Sequence, residues 1–220
     1  MSVITISREI GSEGSFVANE VARALNYTLI TKNILENILS QYGFVQFGKE
    51  YETTPNFWER LDESRFAMIE MLNRVILATA SLGNVVILGR GSFAVLGGYS
   101  EILNVRLQAP FAVRVKRMMA EKCVDDLAKA EVLVKESDHV RAAFMQSWYG
   151  VRWDTASYFD LVIDTSKISR EKTVNWILEA QKGLKNSSQD DKSSLAALNI
   201  DPVMARTVQE VLENRPVFLS

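Results

Sequence analysis

A glycine loop lies near the start of this chain, between an apolar run and a segment with helical spacing. Residues 5–25 read T-I-S-R-E-I-G-S-E-G-S-F-V-A-N-E-V-A-R-A-L. A strand that passes through such a loop into a helix presents several backbone N–H groups, and the positive end of the helix, to an anion. In open α/β sheets, ligands bind beyond the carboxyl ends of the strands, where this loop would lie. The segment therefore predicts an α/β fold with an anion site.

The loop does not match the phosphate-binding motif G-x-x-x-x-G-K-[ST]. An ungapped alignment puts Arg8 at the first glycine, Glu13 at the second, Gly14 at the lysine and Ser15 at the hydroxyl residue. The motif alone favours an ordinary glycine turn between a strand and a helix. Arg8, however, brings a guanidinium into the same loop, and motifs further along the chain favour a phosphate site.

The rest of the chain alternates β-branched apolar runs with segments of helical periodicity. Strands are predicted at residues 3–6, 27–30, 85–88, 102–107 and 161–163, and helices at 15–25, 32–42, 57–82, 111–122, 125–148 and 170–184. In the longest helix, Met68, Leu72, Val75 and Ile76 lie near one face. Five strands separated by helices predict a mostly parallel sheet covered on both faces, in a three-layer α/β sandwich.

The composition is that of a soluble globular protein and argues against several classes of function. Among 220 residues, 25 basic and 27 acidic side chains give a net charge of −2, which argues against a broad nucleic-acid-binding surface. The N-terminus lacks the features of a signal peptide and no apolar run could span a bilayer, so we expect no membrane association and a cytoplasmic location. The single cysteine, Cys123, cannot form an internal disulfide, and the single histidine, His139, is expected at the surface.

Three further clusters place arginines after predicted strands or on predicted helices. The third predicted strand ends in a Gly-Arg-Gly turn centred on Arg90, where a planar guanidinium suits a phosphate at the carboxyl edge of the sheet. Arg114 and Arg117 lie one helical turn apart, a spacing that is also typical of a solvated face. Asp138 and Arg141 share a helix face and could form an ordinary i,i+3 ion pair. None of these clusters identifies a site by itself.

These clusters, in this order, resemble the nucleoside-monophosphate kinases, and most closely the cytidylate kinase-like family. A divergent subgroup of that family has a loop of the form S-R-E-[FY]-G-S-G-G, a third strand that ends in G-R-G, and a lid followed by G-x-D-W and Y-D-L-V-I-N-T-S. The corresponding stretches here are residues 7–14, 89–91, 150–153 and 158–166. Each motif is weak, but their number and order make the resemblance specific.

The resemblance implies a P-loop kinase domain over residues 1–184, with a monophosphate-binding insert at 31–80 and a lid region at 122–153. The implied activity is ATP-dependent phosphoryl transfer to a nucleoside monophosphate, with Mg²⁺ as cofactor. Phosphoryl transfer asks the protein chiefly for positioning and positive charge. Trp148 and Trp153 flank a glycine of the lid and are expected to pack in the protein rather than to stack on a base.

The resemblance also implies roles for individual residues. The ATP phosphates would be bound by Arg8, Gly11, Ser12, Gly14 and Ser15, with the Ser15 hydroxyl near Mg²⁺. The acceptor monophosphate would be bound by Arg90, Lys32 and Arg65, with Asp138 orienting the arginines or the acceptor base. Arg117 and Arg141 would close over the transferring phosphoryl group.

Several departures from the family pattern bear on activity. The loop lysine is absent, Glu13 replaces a glycine, and Leu88 replaces the aspartate before Gly-Arg. Asn37 and Val134 stand where the ordinary kinases have arginines. These changes leave open a catalytically impaired nucleotide-binding or sensing protein that acts through a partner. The acceptor base, and whether the acceptor is a nucleotide at all, are also left open.

The last part of the chain lies outside the resemblance. Residues 185–194 are polar, without large apolar side chains, and predict a flexible linker. The tail at 195–220 predicts a helix that begins at Asp201, with an apolar stripe at Val203, Thr207 and Val211. We expect this helix to dock on another surface or on a second copy in a homo-oligomer. A chain without residues 185–220 should then stay folded; if the tail completes the core, it should not.

Overall fold

The five predicted strands form one parallel sheet. The computed structural model describes residues 2–45, 63–122, 125–184 and 194–214 of the chain. The strands are β1 (Val3–Arg8), β2 (Thr28–Ile30), β3 (Val85–Leu88), β4 (Ile102–Gln108) and β5 (Leu161–Asp164), in the order β2-β3-β1-β4-β5. Every neighbouring pair runs parallel. The carboxyl end of the central strand β1 is therefore flanked by those of β3 and β4.

Strand β1 continues two residues beyond its predicted end. Its apolar run stops at Ile6, but Ser7 and Arg8 still pair with Arg106 and Leu107 of β4. This pairing carries the Arg8 backbone to the carboxyl edge of the sheet before the chain enters the glycine loop.

The predicted helices are present, and one short helix was not predicted. The α-helices in the described residues are α1 (Gly14–Leu25), α2 (Lys32–Gln41), α3 (Glu63–Ser81), α4 (Ser92–Leu96), α5 (Phe111–Lys122), α6 (Leu127–Tyr149), α7 (Arg170–Gly183) and α8 (Pro202–Glu213). Helix α4 escaped prediction because its five residues are too few to show a period. The first six residues of the helix predicted at 57–82 lie outside the described part of the chain, as does Cys123. The Asp126 and Ser169 side chains cap α6 and α7.

Helices cover both faces of the sheet, as predicted. On one face, Ile4, Ile6 and Leu103 of the sheet pack with side chains of α1 and α7. On the other face, Val3 and Ile87 pack with side chains of α2, α3, α4 and α6. The predicted apolar face of α3 is buried: Met68, Leu72, Val75 and Ile76 all lie in this second cluster.

The tail helix α8 packs on α2 and α3 of its own chain. Its Met204 and Val208 side chains, with Leu195 before the helix, are buried in the same cluster as α3. Val203, which the sequence placed on the packing face, is 67% exposed, whereas its neighbour Met204 is 7% exposed. The predicted stripe was therefore displaced by one residue at its start. None of the described helices is both long and apolar enough to cross a membrane.

Candidate functional site

Two residues of the glycine loop between β1 and α1 have left-handed backbone conformations. Gly11 has φ 74°, and Glu13 has φ 61°, a left-handed conformation that favours glycine. The Ser12 N–H and hydroxyl both donate to the Glu9 carbonyl, at 3.3 and 2.8 Å, so Ser12 stabilises the turn within the loop. Ser15 is exposed in the first turn of α1, where a hydroxyl can reach a ligand. The loop thus offers the N-terminus of α1 to the solvent side of the sheet edge.

Glu9 anchors the loop to β4 and α5, a role that the sequence did not predict. Its carboxylate lies 3.2 Å from Arg106 Nη2 and 3.2 Å from Arg114 Nε, and accepts a hydrogen bond of 3.1 Å from the Ala109 N–H. Both arginines are buried. Burial lowers the pKa of Arg106, and the nearby Glu9 opposes that shift, so the guanidinium stays charged. The only sequence signal for Glu9 was its place in the S-R-E motif.

Asp138 orients an arginine, though one that the sequence had not assigned to the site. Its carboxylate accepts from Arg114 Nη1 and Nη2, at 3.1 and 2.9 Å. Since Arg114 also contacts Glu9, one buried guanidinium links the glycine loop to helix α6. The Arg141 side chain, one turn further along α6, donates to the Ser137 carbonyl and hydroxyl.

Arg117 faces the glycine loop. Its guanidinium donates to the Gly11 carbonyl at 3.1 Å, and to the Thr165 hydroxyl and carbonyl at 3.0 and 2.8 Å. It also lies 3.5 Å from the Glu13 carboxylate. Arg117 therefore joins the loop to the segment after β5. Its ion pair with Glu13 partly neutralises the carboxylate of Glu13.

A small cleft opens beside the loop, between the ends of β1 and β3 and helix α6. Three arginines line it: Arg8, Arg90 and Arg141. The apolar side of the cleft is formed by Phe93, Met145 and Trp153. The structure thus brings together three site residues that lie on three different elements and up to 133 positions apart, from 8 to 141. The cleft encloses about 20 Å³, room for little more than a water molecule. It must therefore widen to admit a phosphate or another anion with several oxygens, to which the three arginines could donate.

Arg90 is held in the cleft by its backbone and by an acidic partner. Gly89, Arg90 and Gly91 have φ of 77°, 57° and 72°, so the turn after β3 is left-handed throughout. The Arg90 side chain is 6% exposed, and its Nη2 lies 3.2 Å from Glu36 Oε1 on α2. Lys32 Nζ lies 3.8 Å from the same oxygen. Glu36, which the sequence had not singled out, therefore ties Lys32 to Arg90.

Of the remaining predicted residues, Trp153 lines the cleft, and Arg65 and His139 do not. Arg65 is half-buried in the first turn of α3. Trp153 packs in the protein as predicted: the Arg106 guanidinium stacks 4.6 Å from its ring and donates to its carbonyl at 2.7 Å. His139 is exposed, also as predicted. In the part of the chain that the structure describes, no three His, Cys, Asp or Glu side chains cluster as metal ligands would.

A family model and the relatives found by sequence agree on one family. A model of the cytidylate kinase-like family matches residues 3–167. The chain is 29% identical over 174 residues to a cytidylate kinase of Pyrobaculum islandicum, a match that covers 77% of this chain and 86% of that protein. It is 26% identical over 186 residues to a cytidylate kinase of Methanocaldococcus jannaschii, covering 83% and 99%. An uncharacterized protein from Eubacterium ventriosum shares the fold, with a TM-score of 0.67 at 19% identity over 83% of this chain and 99% of that one.

Proposed function

The chain belongs to the cytidylate kinase-like family, and we propose that it transfers a phosphoryl group from ATP to a nucleoside monophosphate, with CMP as the first candidate. The observation that carries the proposal is the convergence of Arg8, Arg90 and Arg141 on one cleft beside the glycine loop. Phosphoryl transfer needs two phosphate-bearing substrates in line and positive charge between them. A loop at a helix N-terminus next to an arginine cleft provides two adjacent anion sites, with positive charge between them.

On the donor side, the N-terminus of α1 would bind the ATP phosphates. Gly11, Gly14 and Ser15 lie where backbone and hydroxyl groups can approach an anion, and the dipole of α1 favours negative charge there. Arg117 would stabilise this side through the loop, because it holds the Gly11 carbonyl and Glu13. The carboxylate of Glu13 is thereby paired, which weakens the objection that it repels phosphate.

The loop would hold a magnesium ion with few protein groups. Mg²⁺ in such sites is held by few protein groups and by the substrate phosphates, so a large cluster of acidic ligands is not needed. Ser15 is the residue that would hold it, since its hydroxyl is exposed in the first turn of α1. When bound, the ion neutralises charge on the phosphate oxygens.

On the acceptor side, Arg90 would bind the monophosphate. Its left-handed backbone and its pairing with Glu36 fix the guanidinium before a ligand arrives, which lowers the entropy lost on binding. Lys32 would offset part of the negative charge of Glu36, and Arg65 would make a second basic contact on the insert. Arg141, on α6, would approach the transferring group from the lid side.

A coupled assay for ADP release tests the proposal. Parent protein, ATP and Mg²⁺ are incubated in turn with CMP, dCMP, UMP, AMP and GMP, and we expect turnover with at least one acceptor. ATP binding without turnover on any of the five would overturn the kinase assignment in favour of the nucleotide-binding alternative. The relatives named cytidylate kinase favour the first outcome, with CMP as the preferred acceptor.

A further inference from the structure

Gly14 stands at the lysine position of the phosphate-binding motif, yet its backbone does not require glycine. It is the first residue of α1 and is not among the glycines with left-handed φ. An ordinary L-residue could adopt this conformation, and Arg8 is the cation nearest in sequence. A reason for glycine at position 14 must therefore come from its surroundings.

The surroundings of Gly14 are the stem of Arg8. A Cβ atom on Gly14 would lie 2.7 Å from Arg8 Cβ and 2.6 Å from Arg8 Cγ. These are the atoms of the side chain nearest the backbone, and that backbone is fixed by pairing with Leu107 of β4. The stem cannot turn aside without moving the strand. A side chain at position 14 and the present Arg8 side chain therefore exclude each other.

The tip of Arg8 ends at the other side of the cleft. Its Nη1 lies where a Cβ of Gly89 would be, so Gly89 also leaves space for this side chain. The guanidinium thus runs over the start of α1 and reaches the turn that carries Arg90. This path lies between the proposed ATP loop and the proposed acceptor site.

We propose that Arg8 is the relocated cation of the phosphate-binding loop, and that Gly14 is glycine because the Arg8 stem fills the space of the lost lysine. This inference rests on the proposed function and assigns Arg8 to the phosphoryl group that lies between the two nucleotides. The planar fork of a guanidinium can donate two parallel hydrogen bonds to two oxygens at once, whereas a lysine ammonium acts as a point charge. Arg8 lies on β1, whereas the lysine of the motif would lie on α1. The Arg8 guanidinium therefore approaches the phosphates from the acceptor side of the loop.

An exchange of the two side chains tests this inference. Arg8→Gly removes both the charge and the stem, and should weaken ATP binding by roughly ten- to a hundredfold. Gly14→Lys in the parent should weaken ATP binding as well, because Arg8 blocks its Cβ. The double variant Arg8→Gly/Gly14→Lys regains a charge-assisted bond to phosphate. It should therefore bind ATP more tightly than Arg8→Gly, by roughly ten- to a hundredfold. ATP affinity is measured by calorimetry, and the folded state by thermal unfolding.

The matched control is Arg8→Gly/Gly14→Ala, which fills the space without a charge. It should fold as well as the double variant with lysine and bind ATP no better than Arg8→Gly. Equal ATP affinity of the lysine and alanine double variants, both folded, would overturn the inference. So would a parent whose ATP affinity is unchanged by Gly14→Lys. These outcomes are read from ATP binding, so they stay separate from a failure of the proposed function, which would appear as bound ATP without turnover in the parent.

Discussion

The Asp138 carboxylate on α6 accepts hydrogen bonds from both terminal nitrogens of Arg114 on α5, at 3.1 and 2.9 Å. The same guanidinium lies 3.2 Å, through Nε, from the carboxylate of Glu9 at the start of the glycine loop. One buried arginine therefore connects the loop, α5 and the helix that carries Arg141. A displacement of α6 can therefore act on the loop through this pair of contacts.

Replacing Asp138 with asparagine should weaken this connection measurably. Asparagine can still accept one hydrogen bond, but the charge opposite the buried Arg114 is lost. A hydrogen bond to a charged group contributes about 1.5–3 kcal/mol, so the free energy of unfolding should fall by about 1–3 kcal/mol. Urea denaturation of parent and Asp138→Asn measures the difference. Glu136→Gln, on the exposed side of the same helix, is the control and should stay within about 0.5 kcal/mol of the parent.

The strands were predictable because each is a short β-branched run bounded by turn residues. Their pairing order was not, since it depends on contacts between residues far apart in the chain. The same limit applies to the site. The positions of Arg8 and Arg90 at strand ends follow from the sequence, whereas the partners of Glu9 lie about a hundred residues further on, at Arg106 and Arg114. A single sequence gives no measure of such a contact.

Arg117 shows a second limit of the sequence. Its position one turn after Arg114 was visible, and the resemblance implied a role at the transferring phosphoryl group. The structure adds three hydrogen bonds, to Gly11 and Thr165, that the sequence did not indicate. Helical spacing fixes which face an arginine occupies, but a long side chain can reach partners on either side of that face. We therefore propose that Arg117 affects phosphate binding by fixing the shape of the glycine loop.

Arg90 and Arg141 should affect different kinetic constants if the proposed function is correct. Arg90 would bind the acceptor before reaction, so Arg90→Ala should mainly raise the KM for CMP, by roughly ten- to a hundredfold. Arg141 would contact charge that develops during transfer, so Arg141→Ala should mainly lower kcat. Steady-state kinetics with CMP varied at saturating ATP separate the two effects.

The control for this pair is Arg74→Ala. Arg74 lies on α3 with an exposed side chain and pairs only locally, with Glu70, among its described contacts. Both kinetic constants should stay near those of the parent. If Arg90→Ala and Arg141→Ala change the same constant to the same extent, the division into acceptor and transfer roles is wrong.

Met204 should be required for stability, whereas its neighbour Val203 should not. Met204 is buried against α3 in the main core cluster, and Val203 points away from it. Removing a buried methionine side chain typically costs about 2–5 kcal/mol, so Met204→Ala should lower the free energy of unfolding by that order. Val203→Ala should stay within about 0.5 kcal/mol. Equal effects in urea denaturation would show that the tail is not part of the core.

Removal of the tail extends this test. A chain that ends at Leu184 loses Leu195, Met204 and Val208 from the cluster and exposes the faces of α2 and α3 that they cover. We therefore now expect the shortened chain to be less stable than the parent, the outcome that identifies the tail as part of the core. A shortened chain with the same unfolding midpoint as the parent would restore the hypothesis that the tail binds elsewhere.

The attachment of the tail should weaken in acid, because Glu101 holds its start. The Glu101 carboxylate accepts from the Ser194 hydroxyl and from the Leu195 N–H, the latter at 3.1 and 3.2 Å to its two oxygens. Burial alone would raise the pKa of Glu101, but hydrogen bonds, led by those from Ser194 and Leu195, bring it below its ordinary value of 4.5. A lowered pKa in the folded state means that the ionised carboxylate stabilises the fold. That stabilisation is complete above the unfolded pKa and is lost as the pH falls through the folded pKa.

The variant Glu101→Gln isolates this contribution, since glutamine keeps an oxygen acceptor but carries no charge. Parent and variant should differ in free energy of unfolding at pH 7. The difference should shrink as the pH falls below 4.5, the ordinary pKa, and disappear once the pH has passed the lowered pKa of the folded state. Urea denaturation at several pH values between 7 and 3 measures both curves. Glu179→Gln, at an exposed position on α7, is the control and should stay within about 0.5 kcal/mol of the parent at pH 7. A difference between parent and Glu101→Gln that persists unchanged at pH 3 would mean that the amide disturbs packing, and that the charge of Glu101 does not hold the tail.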